Sequence, residues 1–226
     1  MHTLMVADDH PLFREAIAAV IEAGLPACRL LEAESLAEAL HRAEACEELD
    51  LVLLDLDLPD AEGLAGLRAL RAAHPWLPIA ILSADQERRT ILDAIDLGAV
   101  GYIPKSTPRR ELLTALARLL EGQLYLPSDI IRRPPAAARR APPADDDVRQ
   151  HLAQLTDKQL EVLICLTRGA SNKVIARELD IAETTVKTHV SAILRKLGVA
   201  GRVQAILAAG EVDLEALLAD RREPSR

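Results

Sequence analysis

The run Leu51-Val52-Leu53-Leu54 leads directly into Asp55. Four consecutive large apolar residues predict a strand buried on both faces, as in a parallel sheet covered by helices on each side. Fold stability gives such a strand no reason to end in a carboxylate, because desolvating the charge costs on the order of several kcal/mol. The same arrangement recurs along the chain. Thr3-Leu4-Met5-Val6-Ala7 runs into Asp8 and Asp9, Ile79-Ala80-Ile81-Leu82 into Ser83, and Gly101-Tyr102-Ile103-Pro104 into Lys105. In open α/β sheets the ligand site lies beyond the carboxyl ends of the strands. Four such ends predict one pocket built from three acids, a hydroxyl and an ammonium group.

Between the apolar runs lie stretches of helical periodicity, the signature of βαβ units. One helix is predicted from Pro11, with apolar positions at Leu12, Phe13, Ala16, Ile17, Val20 and Ile21, and Gly24 stops it. A short strand near Leu30-Leu31 follows. Ser35 and Glu38 have capping-box spacing at the start of a helix to about Glu47. Further helices are expected to about Ala73, over Glu87–Leu97, and from Pro108 to about Glu121. The fold class is therefore an α/β domain over residues 1–122, a five-stranded parallel sheet with helices on both faces.

Residues 123–150 change in character. Pro127, Pro134, Pro135, Pro142 and Pro143 stand among alanines, arginines and the run Asp145-Asp146-Asp147. This composition cannot bury a core and is expected to be a linker. Residues 151–216 show four short helical patterns without strand signals, and residues 217–226 are expected to be a charged tail. Charge separates the two folded parts. Residues 1–125 hold 21 acids against 11 bases, whereas residues 151–210 hold 5 acids against 8 bases. An acidic first domain and a mildly basic second one point to a sensing part and a nucleic-acid-facing part. No run of eighteen apolar residues predicts a membrane span, and the pattern at the first strand leads to the expectation of no secretory leader. Cys28, Cys46 and Cys165 are odd in number and far apart, which fits a reducing cytoplasm.

The first pocket has a definite chemistry. Asp9 and Asp55 brought together as anions repel, and a hard divalent cation relieves the repulsion. Mg²⁺ takes oxygen ligands, commonly one or two carboxylates with waters and a phosphate. Asp8 is expected to act directly or through a water, with the backbone carbonyl of Asp57 as another ligand. Lys105 supplies fixed positive charge on the far side. Such a site stabilises a phosphoryl group in transfer, and Asp55, central among these groups, is the expected nucleophile.

In the second domain, Val186, Val190, Ile193, Leu194 and Leu197 form one apolar stripe at helical spacing. Thr184, Lys187, Thr188, Ser191 and Arg195 form the opposing polar stripe. Small hydroxyls and a lysine suit the major groove. A shorter helix over about Asn172–Leu179 precedes it through the turn Asp180-Ile181-Ala182-Glu183, which predicts a helix-turn-helix.

The segments ADDHPLF, LVLLDLDLPD, ILSA and GAVGYIPKS resemble the receiver domain of bacterial response regulators. The segment LTDKQLEVL and the stretch GASNKVIARELDIAETTVKTHVSAILRKLGV resemble the LuxR-type helix-turn-helix. The whole chain thus resembles the NarL/FixJ subfamily. That resemblance implies a two-component transcription regulator, not an enzyme, in which a histidine kinase phosphorylates Asp55 while Asp8 and Asp9 serve Mg²⁺. It implies that Ser83 hydrogen-bonds the phosphate, that Lys105 pairs with it, and that Tyr102 is the rotating aromatic of the switch. In the second domain it implies that Lys187, Thr188 and Ser191 face bases, with Lys173, Thr185 and Lys196 on phosphates and Asn172 and Thr184 among the DNA contacts. Val203, Ile206 and Leu207 are implied as the seam of a homodimer on a palindromic or direct-repeat operator, with RNA polymerase a further partner. The chain departs from the family at Lys158-Gln159, where an arginine-glutamate pair is common, and at Gly201, where asparagine is common. Two other readings compete: a phosphatase built on the Asp55-Leu56-Asp57 motif, and a DNA-binding scaffold with a vestigial receiver.

Overall fold

The computed structural model of the chain describes residues 1–127, 150–210 and 212–222. Its first domain runs β1(His2–Ala7), α1(Pro11–Gly24), β2(Cys28–Ala33), α2(Leu36–Ala45), β3(Leu49–Leu54), α3(Ala65–Ala73), β4(Ile79–Ser83), α4(Arg88–Asp96), β5(Gly101–Pro104) and α5(Arg109–Leu120). The five strands form one sheet in the order β2-β1-β3-β4-β5, and every neighbouring pair is parallel. The first connection runs outward from β1 to β2 and the later ones the other way, so the order reverses between β1 and β3.

The strand alternation explains why the central runs Leu51–Leu54 and Ile79–Leu82 carry no polar residue. Met5, Ala7, Val52, Leu54, Ile79 and Ile81 face one core, with Ala39 and Ala43 of α2, Leu67 and Leu70 of α3, and Ile91 and Ala94 of α4. Their neighbours Leu4, Val6, Leu51, Leu53, Ala80 and Leu82 face the other core, with Ile17 and Ile21 of α1 and Leu112, Ala115, Leu116 and Leu119 of α5. A strand covered on both faces needs apolar side chains at both phases of its period of two. Truncating any one of these leucines to alanine is expected to cost about 2–5 kcal/mol.

Helix boundaries follow local chemistry. Ser35 Oγ accepts from Glu38 N at 3.2 Å, while Glu38 Oε2 accepts from Glu34 N at 2.9 Å, one residue before the reciprocal position of a full capping box. Asp60 holds the β3–α3 loop against the same helix end, accepting from Leu36 N at 2.7 Å and Ala37 N at 2.8 Å.

Of the expected linker, residues 128–149 lie outside the described residues. At its start, Tyr125 O accepts from Tyr102 N at 2.9 Å, and Tyr125 pairs with Gly101, so the sheet edge continues past residue 122.

The second domain consists of α6(Asp157–Thr167), α7(Asn172–Glu178), α8(Glu183–Leu197), α9(Arg202–Ala209) and α10(Leu214–Arg222). Its core gathers Leu160, Leu163, Ile175, Val186, Val190, Ile193, Leu194 and Ala205. Asp180 takes a positive φ of 51° in the turn between α7 and α8, a conformation that Asp tolerates better than most residues. Thr156 and Gln159 form a full capping box on α6, so Gln159 serves as cap in place of a glutamate. Residues 217–222 of the expected tail form the second half of α10, and residues 223–226 lie outside the described residues. Leu218 and Leu214 are buried in the domain core, and Arg221 donates to the carbonyls of Leu155 at 2.6 Å and Ala153 at 3.0 Å.

Candidate functional site

The strand ends converge as expected. Asp8 and Asp55 are both buried, and Lys105 Nζ lies 2.7 Å from Asp8 Oδ2 and 2.7 Å from Asp55 Oδ2. Asp55 Oδ1 accepts from its neighbour's backbone, Leu56 N, at 2.8 Å. Burial pushes the Asp55 carboxyl above the usual range and the Asp8 charge adds to this, against the pull of the Lys105 ammonium. On Lys105 itself burial acts downward, but hydrogen bonds to Asp55 and Asp8 outweigh it and the ammonium is held above its ordinary value. Its Nζ also lies 4.9 Å from the Phe13 ring centroid.

Asp9 is half-buried at the mouth, with His10 Nδ1 2.6 Å from its Oδ1. Asp57 is exposed on the loop beyond β3, its backbone N–H turned to the Asp55 carboxylate. Donor atoms of Asp8, Asp9, His10 and Asp55 lie within 4.8 Å of one another. Asp8 Oδ2 and Asp9 Oδ1 are buried atoms whose close partners are the Lys105 ammonium and the His10 ring. Three carboxylates against one ammonium leave two negative charges, so this donor set fits a hard dication.

Ser83 is fully buried at the end of β4, its Oγ accepting from Asp85 N at 3.1 Å. Tyr102 is also fully buried, and its hydroxyl donates to Asp85 O at 2.7 Å. Burial pushes the phenol up to about 12. Ser83 and Tyr102 therefore grip one loop, residues 84–86, from two strands. Sequence reasoning missed Arg14, whose guanidinium donates to Asp8 O at 2.7 Å and to Glu32 Oε2 at 3.2 Å, bracing the acid turn.

The polar stripe of α8 is not free. Lys187 is only 6% exposed, although it was expected to face bases. Its ammonium donates to the backbone carbonyl of Glu47, pairs with Glu183 Oε1 at 3.1 Å, and lies 4.3 Å from the ring centroid of Trp76. Trp76 packs against the cores of both domains. Lys173 Nζ reaches Asp50 Oδ2 at 2.6 Å and Met1 O at 2.7 Å. Gln204 donates to the carbonyl of Ile95, and Arg71 to that of Ala200. The first domain thus lies against the very face expected to read a groove. Asn172 is buried, and Lys196 is turned inward to Gln154 O and Gln159 Oε1, both at 2.8 Å. Thr184, Thr185 and Thr188 are exposed and Ser191 half-buried. The hydroxyls of Thr188 and Ser191 donate to carbonyls four residues back, Thr184 O and Lys187 O, at 3.0 Å each.

The expected dimer seam divides. Leu207 is 71% exposed, but Val203 is buried and Ile206 packs against its own domain's core. In this arrangement only Leu207 of the three is presented to a partner. Neither Trp76 nor Asp50 stood out in the sequence, although Trp76 is the chain's single tryptophan.

Residues 4–117 match the family described as response regulator receiver domain, and residues 153–209 match bacterial regulatory proteins of the luxR family. The chain is a response regulator. This response regulator is 50% identical to the glycerol metabolism activator of Pseudomonas putida, over 96% of this chain and 99% of that protein. It is 33% identical to the nitrate/nitrite response regulator protein NarL of Escherichia coli K12, over 90% and 92% of the two chains. A LuxR family DNA-binding response regulator from Silicibacter pomeroyi aligns at a TM-score of 0.50 and 32% identity, over 57% of this chain and 99% of that one. The Salmonella typhimurium RcsB response regulator aligns at a TM-score of 0.55 and 20% identity, over 93% of this chain and all of that one, a likeness of fold. Among the described residues of the response regulator, no helix is long and apolar enough to cross a membrane. The response regulator joins a receiver to a LuxR-type DNA-binding domain and regulates transcription under control of phosphorylation.

Proposed function

We propose that Asp55 is the phosphoacceptor, and that its phosphorylation frees α8 from the receiver to read DNA. The observation that carries this is the shared fate of the two lysines. Lys187 and Lys173, both expected DNA contacts, are bound to receiver atoms.

In the transfer step an Asp55 carboxylate oxygen attacks phosphorus, the bond to the donor's leaving atom breaks, and an acyl phosphate forms on Asp55. Mg²⁺ bound by Asp8, Asp9, Asp55 and the Asp57 carbonyl would spread the negative charge of the phosphoryl oxygens. Lys105 then moves from the carboxylate to a phosphoryl oxygen, and Ser83 Oγ exchanges its Asp85 contact for the same group. That exchange loosens the loop which Tyr102 also holds, and so alters the β4–α4 surface. The far end of α4 and its following turn meet the second domain at Ile95 and Gly98, so a shift of the helix as a whole bears on closure. Once free, α8 enters a major groove with Lys187, Thr188 and Ser191 toward bases and Lys173, Thr185 and Lys196 toward phosphates. A homodimer seated through Leu207, with Val203 and Ile206 rearranged, would place two such helices about one turn apart, ~34 Å. RcsB, similar in fold, has been solved as two dimers bound to two parallel DNAs. A histidine kinase is the phosphoryl source, RNA polymerase the downstream partner, and the cytoplasm the setting.

The test is incubation of the full-length chain with Mg²⁺ and acetyl phosphate, followed by intact-mass measurement and DNA binding. The wild type gains one hydroxylamine-sensitive phosphoryl group and binds DNA more tightly, and Asp55→Asn does neither. An adduct that persists in Asp55→Asn, or a labelled chain with unchanged DNA affinity, defeats the reading.

A further inference from the structure

His10 occupies the N-cap position of α1, where side chains normally accept a backbone N–H of the first turn. Its ring makes no such bond. It turns the other way, so that Nδ1 lies 2.6 Å from Asp9 Oδ1 and 3.1 Å from Asp8 Oδ1. The placement is fixed by the backbone. His10 N donates to Asp8 Oδ1 at 2.9 Å, and the His10 carbonyl accepts from Phe13 N and Arg14 N at 3.1 Å each. Pro11 sets the first helical φ immediately after it.

We propose that His10 is a nitrogen ligand of the cation held in the acidic pocket, so that this pocket binds first-row transition ions such as Mn²⁺ in preference to Mg²⁺. The inference deepens the phosphoacceptor reading and rests on it. Three observations combine. The His10 ring nitrogen belongs to the same cluster as the carboxylates of Asp8, Asp9 and Asp55, all within 4.8 Å of one another. Bonds of ~2.1 Å set opposite ligands of an octahedral ion ~4.2 Å apart, so only a slight contraction is needed. Asp8 is wholly buried and its Oδ2 is held by the Lys105 ammonium at 2.7 Å, so a fixed carboxylate stands beside the ring in the site. The net charge of the cluster with Lys105 matches a dication. An all-oxygen site holds Mg²⁺ adequately, but an imidazole adds affinity along the series Mn²⁺, Fe²⁺, Co²⁺, Ni²⁺ and adds little for Mg²⁺. The ring's position thus bears on which ion is taken, a matter the carboxylates alone leave open.

The experiment uses full-length, tag-free protein in a nitrogen-free buffer. Free Mn²⁺ is followed by electron paramagnetic resonance during titration, with Mg²⁺ as competitor, and electron spin echo envelope modulation is recorded on the bound ion. The wild type is expected to show imidazole ¹⁴N modulation, absent in His10→Ala and His10→Asn variants whose circular dichroism is unchanged. Loss of the ring should weaken Mn²⁺ about tenfold while changing Mg²⁺ less than about twofold. Bound Mn²⁺ with no nitrogen modulation in the wild type overturns the role of His10 and leaves the pocket reading intact. Equal weakening of both ions by His10→Ala overturns it too, since the ring would then act only on the carboxylates. Failure of the wild type to bind either ion removes this inference and the Mg²⁺ part of the pocket reading together.

Discussion

The ammonium of Lys187 lies 4.3 Å from the ring centroid of Trp76, joining α8 of one domain to the turn after α3 in the other. A desolvated cation–π contact is worth about 1–2 kcal/mol, or a factor of roughly five to thirty in an equilibrium. Trp76→Ala should therefore raise the DNA affinity of the unphosphorylated chain by about that factor, measured by fluorescence anisotropy. Because Trp76 is the single tryptophan, opening should also shift its emission to longer wavelength in the wild type. Unchanged DNA affinity in the variant would mean that the contact does not hold the closed form.

Gly98 and Gly201 approach each other backbone to backbone. A Cβ on Gly201 would lie 2.7 Å from Gly98 Cα and 2.9 Å from Gly98 O, too close for atoms that cannot swing aside. Gly201 itself has an extended φ of −162°, which any residue adopts, so the constraint is the contact and not the conformation. Gly201→Asn restores the residue common in the family and a better helix cap, worth a few tenths of a kcal/mol. It should push the domains apart. Small-angle scattering is expected to give a larger radius of gyration, and DNA binding without phosphorylation should increase. A radius equal to the wild type's would show that the interface tolerates a side chain here.

His74 is buried beside Trp76, with Glu44 Oε2 3.8 Å from its Nε2. Burial lowers its pKa below the ordinary value, and Glu44 opposes this only in part. The folded state thus binds the proton more weakly than the unfolded chain does. Stability contributed by neutral His74 is complete above about pH 6.5 and is lost as pH falls toward the lower folded value. Urea midpoints between about pH 7.5 and 5 should fall for the wild type, and by less for His74→Gln. Parallel slopes for the two proteins would exclude His74 as the source.

Leu218 is buried on α10 against α6. Leu218→Ala should destabilise the DNA-binding domain by about 2–3 kcal/mol, read from denaturant unfolding followed by far-ultraviolet circular dichroism. A loss below about 0.5 kcal/mol would mean that the helix is dispensable.

The receiver was legible because its sheet is covered on both faces. Leu51–Leu54 and Ile79–Leu82 can be little else than central strands, and the polar residues that end them mark the pocket. Asp8, Asp55 and Lys105 meet as their positions implied. What escaped were features that depend on the contact between domains. Lys187 sits on the polar stripe of α8, so spacing alone sends it outward, and no local pattern reveals that Trp76 and Glu47 await it. Val203 was placed at a seam between chains by the family resemblance, and no local pattern shows that it is buried within its own chain. The helix α10 was overlooked for a different reason. Leu214, Leu217 and Leu218 have helical spacing, but the charged residues after them weighed the segment toward a tail.

Lys173 rests on a carboxylate oxygen of Asp50 and Lys187 on a carbonyl oxygen of Glu47, so the receiver offers these side chains much the same kind of partner that a nucleic acid backbone would. On the function proposed above, the lock and the reading surface share their amino acids. Redesigning α8 for a new operator also rewrites the latch, and grafting this DNA-binding domain onto another receiver should yield a protein that is permanently on unless residues 47, 50 and 76 travel with it.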